Sequence, residues 1–201
     1  WVQTPSANRE NALENGEVDM IFATYSITDA RKERVDFAGP YFVAGQDLLV
    51  RADDTAITGP ESLEGKNLCS VTGSTSAQKI KDQFASGVNL VEQGGYAECV
   101  TYLESGQVDA VTTDDIILAG LAATDANKGK FKVVGNTFTT ERYGVGLPKD
   151  SERCEDINEA IKEMKDSGEW KKALESNTEG TGYTYDETLN SGEDAEFEPC
   201  A

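Results

Sequence analysis

The order of apolar and polar residues along the chain predicts helices and strands that alternate. Helical spacing is clearest after Cys154, where Ile157, Ile161 and Met164 recur at i, i+4 and i+7 and form one apolar face. Apolar runs that end in polar residues predict extended, buried segments at 18–26, 45–54, 66–71, 108–115, 131–136 and 141–150. Helical patterns occupy 6–16, 77–84, 96–106, 114–130 and 154–165. Strands that alternate with helices indicate an α/β protein.

One short pattern occurs twice, ninety positions apart: LENGEVDM at 13–20 and LESGQVDA at 103–110. In each copy a glycine, Gly16 or Gly106, suits a helix that ends at a left-handed residue, and an extended run follows. Ligands of open α/β sheets lie beyond the carboxyl ends of the strands. The repeat therefore predicts two similar α/β lobes that each present a strand end to a shared cleft. Such corners also recur in α/β proteins without any such relation.

Charge and composition exclude several classes of function. Acidic residues outnumber basic ones by 37 to 18, and the net charge of -19 disfavours nucleic acid and anionic membrane surfaces as partners. An anionic ligand would need a local cation against this field. Histidine is absent, so ordinary His-based hydrolase chemistry is excluded, and we predict neither a metal nor a cofactor. No apolar run approaches the roughly 20 residues of a membrane span.

The four cysteines are even in number and widely spaced, which is typical of disulfides formed in an oxidising compartment. Free buried thiols would fit the same count. Pairing Cys69 with Cys99 and Cys154 with Cys200 would keep each bridge inside one of the two predicted lobes. Four cysteines allow three connectivities, and the sequence does not choose among them.

Four segments carry a family resemblance: ATYSITDARKERVDFAGPYFVAGQDLLV, VTGSTSAQ, GQVDAVTTDDIILAG and YGVGLPKD. In order and spacing they resemble the polar amino-acid-binding proteins of ABC importers, over roughly residues 1 to 175. Within that family the chain is most similar to the glutamate-binding components of Gram-positive importers, including the cysteines beside SVTGST and in AECV. The resemblance implies a monomeric, non-enzymatic protein outside the cell, tethered to the cytoplasmic membrane as a lipoprotein. It would pass an amino acid to a membrane permease.

The resemblance also implies a periplasmic-binding-protein type II fold, in which two α/β lobes joined by two hinge strands close on the ligand. We expect residues 1–50 and 142–201, with the C-terminal tail, in the first lobe and residues 51–141 in the second. The crossings would then lie near residues 50 and 143, where Gly144 and Gly146 could absorb changes in dihedral angle. The family has a further strand and helix ahead of the point where this chain begins, so the first lobe is expected to lack its N-terminal strand and helix.

Recognition of a zwitterionic amino acid requires a cation and an anion at a fixed separation. Arg31 is the expected cation, because its planar guanidinium can hold a carboxylate with two hydrogen bonds. The family also places its binding arginine at this position. By the same resemblance Asp114 is expected to pair with the ammonium group, with Asp115 as a rival. Both residues also have a structural interpretation, Arg31 as a solvated charge and Asp114 as a helix cap.

Hydroxyl groups are expected on both sides of the cleft. Thr24 and Ser26 follow the first strand and can offer hydroxyl and backbone groups to the ligand. Ser74 and Thr75 follow Gly73 at a predicted helix N-terminus, where free N–H groups attract a carboxylate. Ser74 could instead be a simple helix cap.

Selectivity for glutamate would need a second cation or a set of hydrogen-bond donors near the cleft, and Arg9 and Arg142 are the arginines that the pattern places there. Capture of a polar amino acid for an importer is the predicted function. The same fold also serves as the sensor domain of receptors and as dehydratases of cyclic amino-acid precursors, so the fold alone does not separate these functions. A transmembrane helix just outside this chain would favour the receptor, and an acid–base group above the ligand would favour the enzyme.

Overall fold

The computed structural model describes residues 1–83 and 87–200, and in these ranges the chain forms two β-sheets flanked by helices. The strands are β1 Asp36–Ala44, β2 Gln46–Arg51, β3 Asn67–Val71, β4 Asn89–Gln93, β5 Ala110–Asp114, β6 Phe131–Val133 and β7 Glu141–Leu147. The helices are α1 Arg9–Glu14, α2 Asp29–Lys32, α3 Thr75–Gln83, α4 Tyr96–Glu104, α5 Asp115–Ala123, α6 Cys154–Asp166, α7 Glu169–Thr178 and α8 Glu187–Ser191. Turns of 3-10 helix occur at Ser6–Asn8, Pro60–Leu63 and Glu193–Ala195. The α/β class is confirmed, and the predicted end of α3 at residue 84 lies outside the described residues.

The larger sheet has the strand order β4-β3-β5-β2-β6. β3 is parallel to β4 and β5, whereas β2 is antiparallel to β5 and β6. Apolar side chains cover both faces, as expected for a sheet between two helix layers. On one face, Leu48 of β2 and Leu68 of β3 pack in one cluster with Ile80 of α3. On the other face, Leu49 of β2 packs with Leu118 of α5. The carboxyl ends of β3 and β5 lie at the same edge, where α3 and α5 begin.

The smaller sheet pairs β1 with β7 in antiparallel register. The segment that precedes α2, predicted to be a strand, is extended along β7 and joins it through two isolated bridges, Ile21 to Gly146 and Ser26 to Tyr143. This segment forms isolated bridges and not a continuous strand for a local reason. Thr24, between the two bridges, has φ +46, a left-handed conformation that breaks the alternation of a strand.

Both copies of the repeated corner have the predicted backbone at the glycine. α1 is followed by Gly16 with φ +67 and α4 by Gly106 with φ +75. The copies differ afterwards, because the second leads into β5 and the first into the interrupted segment beside β7. Ser6 begins a 3-10 turn, and the N-cap of α1 is Asn8.

The chain crosses from the smaller sheet to the larger one at Gly45, between β1 and β2, and returns between β6 and β7. The two crossings touch, since the Gln46 N–H donates to Thr139 Oγ1 at 3.0 Å and a Cβ on Gly45 would lie 2.7 Å from Thr137 Cβ. The expected first crossing at residue 50 falls inside β2, whose pairing joins it to the larger sheet. The sheet pairing therefore favours a first crossing near Gly45.

Two glycines of β7 allow close packing inside the first lobe. A Cβ on Gly146 would lie 2.6 Å from Cε1 of Tyr25, and a Cβ on Gly144 would lie 2.8 Å from Cγ1 of Ile27. These contacts explain the absence of side chains at both positions without any need for dihedral freedom at a hinge.

Two disulfides, Cys69–Cys99 and Cys154–Cys200, have the connectivity that keeps each bridge within one lobe. The second bridge ties the C-terminal tail to α6, and the tail also docks on β1. The Asn190 side chain donates to the Val43 carbonyl at 2.9 Å and accepts from the Val43 N–H at 2.8 Å, as a neighbouring strand would. Across residues 1–83 and 87–200, no helix has the length and apolar character needed to cross a membrane.

Candidate ligand-binding site

Arg31 lies on α2 with its guanidinium between the lobes. The Thr28 hydroxyl accepts from the Arg31 N–H at 3.3 Å and begins the helix. Nη1 of Arg31 donates to the Ser26 carbonyl at 2.7 Å, Nη2 donates to the Gly73 carbonyl at 3.1 Å, and Nε pairs with Glu10 at 3.2 Å. Gly73 follows β3, so this guanidinium contacts both lobes. Arg31 is 8% exposed and is therefore not a solvated surface charge.

Thr24 and Ser26 lie on the irregular segment beside β7. Thr24 is exposed, and its hydroxyl donates to the Ala23 carbonyl at 2.7 Å. The buried Ser26 hydroxyl donates to Glu141 Oε2 at 2.6 Å and lies 3.5 Å from the Thr75 hydroxyl of the second lobe. A left-handed non-glycine residue such as Thr24 costs roughly 1 to 2 kcal/mol, and such strain is often found at ligand sites.

Ser74 and Thr75 lie where β3 turns into α3 on the second lobe. The Ser74 hydroxyl accepts from the Ala77 N–H at 3.0 Å, so Ser74 caps the helix. The first N–H groups of a helix have no intrahelical acceptor and can receive an anion. A cavity of about 440 Å³ lies beside this turn and is lined in part by Arg31, Ser74, Thr75 and Glu141.

Asp114 ends β5 and is 4% exposed. Its Oδ2 accepts a hydrogen bond of 2.5 Å from the Tyr143 hydroxyl of β7, whereas its Oδ1 accepts none from the described residues. Burial, and after it the charge of Glu141, raise the pKa of Asp114 to about 7. A positive group at Oδ1 would supply the missing partner and favour the ionised form. This arrangement can accept an ammonium group.

Asp115 has a different set of contacts. Its Oδ1 accepts from the Ile116 N–H at 2.8 Å and from the Gly45 N–H at 3.5 Å, and the Tyr183 hydroxyl lies 3.4 Å from both carboxylate oxygens. Asp115 thus holds the first crossing and the tail. Asp114, in contrast, occupies the N-cap position of α5, but its side chain accepts no capping hydrogen bond from the helix.

The structure brings most of the six predicted residues together. Arg31, Ser74 and Thr75 line the cavity, and Ser26 hydrogen-bonds to its wall at Glu141. Asp114 is close enough to Glu141 for that charge to shift its pKa. Thr24 differs, because its hydroxyl bonds to its own backbone neighbour. The binding roles of all six residues stay predictions.

Two site residues at the start of β7 escaped the sequence-based prediction. Glu141 is buried, and its Oε1 accepts from the Thr139 hydroxyl at 2.9 Å while its Oε2 accepts from Ser26. Tyr143 lies at the expected second crossing, and its hydroxyl donates to Asp114. The available signal was their position, because a strand that crosses between lobes passes the cleft.

The two arginines predicted near the cleft have different surroundings. Arg142 binds the tail, with an ion pair to Glu198 at 2.7 Å and a hydrogen bond to the Asp194 carbonyl at 2.8 Å. Arg9 is 4% exposed, and its guanidinium lies over the Tyr25 ring. Arg142 is therefore committed to the tail, and Arg9 remains beside the site.

Two α/β lobes joined by two crossings, with a polar cleft between them, define the periplasmic-binding-protein type II fold, a class of bilobal solute-binding proteins. The chain belongs to the bacterial extracellular solute-binding proteins, family 3, which matches residues 1–179. The family resemblance identified in the sequence is thereby confirmed.

Individual relatives are similar over most of the chain. The chain is 49% identical over 184 residues to glutamate-binding protein GluB of Corynebacterium efficiens, covering 88% of this chain and 62% of the relative. It is 42% identical over 170 residues to the ABC transporter glutamine-binding protein GlnH of Bacillus subtilis, covering 84% and 60%. A solved ancestral arginine-binding protein bound to glutamine superposes with a TM-score of 0.79 at 37% identity, covering 87% of this chain and 77% of the other. The chain thus spans about six tenths of the length of these curated relatives.

Proposed function

We propose that this chain captures glutamate outside the cytoplasmic membrane and delivers it to the permease of an ABC importer. The observation that carries the proposal is the placement of opposite charges on the two lobes. Arg31 of the first lobe is a buried cation, and Asp114 of the second has a buried carboxylate oxygen without a partner in the described chain. A free amino acid offers a carboxylate to the first group and an ammonium to the second.

The remaining predicted residues have roles that follow from their positions. Thr24 and Ser26 offer backbone and hydroxyl groups from the first lobe, and Ser74 and Thr75 offer the N-terminus of α3 to the carboxylate. Ligand bound to both lobes makes its full contacts in the closed form, so binding shifts the population towards closure.

Similarity to named importer components supports the choice of ligand and partner. The relatives include a glutamate-binding protein and the glutamine-binding protein of an ABC transporter. This similarity favours an amino acid whose polar side chain is as long as that of glutamate or glutamine. We further propose that the protein acts as a monomer, tethered to the outer face of the membrane as a lipoprotein, and that the chain catalyses no reaction.

The test is calorimetric titration of the full-length protein with each of the twenty amino acids. Glutamate is expected to bind most tightly, and Arg31→Met is expected to lose binding. Arg34→Met is the matched control, since Arg34 is an exposed arginine on the same segment that pairs with Glu14. Absence of binding to any amino acid, or unchanged binding by Arg31→Met, would reject the proposal.

Closure has a separate test in small-angle scattering. The full-length protein should become more compact with glutamate, and Asp114→Asn should weaken this response because the link to the second lobe is lost. Tight binding without compaction would contradict a clamp of two lobes.

A further inference from the structure

The C-terminal tail, residues 180–200, follows α7 and lies beyond the residues that the family match covers. It is fixed to the first lobe at three points. The three anchors are the side chain of Asn190 on Val43, the ion pair of Glu198 with Arg142, and the disulfide Cys154–Cys200. They join the tail to β1, β7 and α6, so the tail moves with the first lobe.

A cavity of about 740 Å³ lies between this tail and the second lobe, and we call it the rear cavity. The second lobe forms one wall with α5 and β6, including Ala119, Ala123 and Lys132. The tail forms the other wall with residues 180–184 and Leu189. The rear cavity is thus bounded by one element of each lobe.

The two crossings separate the rear cavity from the candidate ligand site. Gly45 and Thr137 of the crossings line the rear cavity, whereas Glu141 lines the cavity beside Arg31. Among the described residues, the two cavities have no lining residue in common. On the side of the ligand site the lobes touch, since Nη2 of Arg31 donates to the Gly73 carbonyl at 3.1 Å. The lobes are therefore in contact in front of the crossings and apart behind them.

The helix α5 begins at the crossing and runs along the rear cavity. The Asp115 N–H donates to the Gly45 carbonyl at 2.8 Å, and the Tyr183 hydroxyl of the tail lies 3.4 Å from both carboxylate oxygens of Asp115. Ala123, the last residue of α5, is about 12 Å further along the helix axis at 1.5 Å per residue. A rotation of the lobes about the crossings therefore moves the Ala123 end of α5 much further than the Asp115 end.

Separation of the lobes in front of the crossings brings them together behind, because the crossings lie between the two cavities. We propose that the tail is a backstop: α5 swings into the rear cavity when the protein opens, and the anchored tail limits how far the lobes separate. The inference rests on the proposed function and assigns control of ligand release to the tail. A limited opening keeps the free protein close to its binding form, which raises the apparent affinity.

The test fills the rear cavity from each wall in the full-length protein. Thr184→Trp on the tail and Ala123→Trp on α5 both occupy the space that opening requires. Small-angle scattering should find both ligand-free variants more compact than the wild-type protein. The apparent dissociation constant is the intrinsic one divided by the closed fraction, so glutamate should bind at least about threefold more tightly in calorimetry. Gly120→Trp, on the exposed side of α5 where a Cβ meets nothing within 4 Å, is the matched control and should change neither quantity.

A further variant acts in the opposite direction. Asn190→Ala removes both hydrogen bonds to Val43 and loosens the tail, while the disulfide keeps its end attached. The ligand-free protein should become less compact, and glutamate should dissociate at least about threefold faster in stopped-flow measurements. A tail that only stabilises the fold would lower the unfolding midpoint in urea and leave compactness and dissociation unchanged, and that result would overturn the inference.

The tryptophan variants can also contradict the backstop. Unchanged compactness and affinity in both Thr184→Trp and Ala123→Trp would overturn it, and so would equal changes in Gly120→Trp. The scattering comparison needs no ligand and therefore decides the role of the tail by itself. A wild-type protein that binds no amino acid would reject the proposed function instead, so the two failures are distinguishable.

Discussion

Glutamate affinity should depend on pH through Asp114. The carboxyl group is buried, its pKa is raised to about 7 by burial and by Glu141, and the hydrogen bond from Tyr143 opposes this shift. An ammonium group needs the ionised carboxylate, whereas the free protein below pH 7 holds the proton. Ligand binding must therefore release this proton. For the ligand-free protein, an acid whose pKa rises from 3.8 to about 7 on folding favours the folded state at low pH, and this stabilisation is lost as the pH rises through that window.

The magnitude follows from the fraction of ionised Asp114. With a pKa of about 7, affinity at pH 6 should be about tenfold weaker than at pH 8, and at pH 5.5 about thirtyfold weaker. At pH 6 binding should release about 0.9 proton per ligand. The side-chain carboxylate of free glutamate, with an ordinary pKa near 4.3, stays mainly ionised over this range.

The assay is calorimetric titration with glutamate from pH 5.5 to 8 in buffers of different ionisation enthalpy, which counts the protons released. Tyr143→Phe is the matched variant, because it removes the hydrogen bond that lowers the pKa of Asp114 and keeps the ring that packs against Phe42. It should move the midpoint to higher pH. Affinity that is constant between pH 6 and 8, or a midpoint that does not move in Tyr143→Phe, would refute the pairing of Asp114 with the ammonium group.

Three further predictions concern other parts of the structure. Arg31→Ala should cost about 2 to 5 kcal/mol of binding free energy, and Arg31→Lys should recover little because an ammonium cannot reproduce two parallel hydrogen bonds; near-native affinity of the lysine variant by calorimetry would exclude Arg31 as the carboxylate ligand. Mass spectrometry without reductant should find no alkylatable thiol. The double variant Cys69→Ser and Cys99→Ser should have a free energy of unfolding in urea that is lower by about 3 to 4 kcal/mol. An unchanged unfolding midpoint of this variant would contradict a structural bridge. Gly146→Ala should destabilise the first lobe by about 1 to 3 kcal/mol, because its Cβ would lie 2.6 Å from Tyr25; Gly120→Ala on α5, where a Cβ meets nothing within 4 Å, is the matched control and should be neutral or stabilising in the same urea titration.

Local patterns were sufficient for much of the fold. Gly16 and Gly106 both have the left-handed backbone expected at the two corners, because only local sterics decide that conformation. The strand predicted before α2 is irregular instead, since the left-handed backbone of Thr24 interrupts its pairing with β7. The lobe boundary expected near residue 50 depends on which sheet β2 joins. Pairing between distant strands does not follow from the periodicity of one strand.

Residue chemistry alone covers only part of the candidate site. A zwitterion needs one cation and one anion, and the family resemblance assigns these roles to Arg31 and Asp114. The structure buries both side chains, and their binding roles stay predictions. The sequence could not separate Arg9 from Arg142, because both are arginines that the pattern places near the cleft. The contacts in the structure distinguish the two arginines, because the tail neutralises Arg142 through Glu198. This ion pair joins residues that are 56 positions apart in the sequence.

A protein with a net charge of -19 can still bind an anionic ligand, because the relevant charges are buried. Exposed carboxylates are screened over a Debye length of about 8 Å at physiological ionic strength, so most of the acidic surface contributes little in the cleft. Arg9 and Arg31 are buried, so their charges act at short range in a medium of low dielectric constant, where each charge is effective. Glu10 and Glu141 are already engaged by Arg31 and by hydroxyl groups. One buried oxygen of Asp114 has no hydrogen-bond partner among the described residues, so we expect buried groups such as this carboxylate, and not the overall charge, to decide which ligand the proposed site accepts.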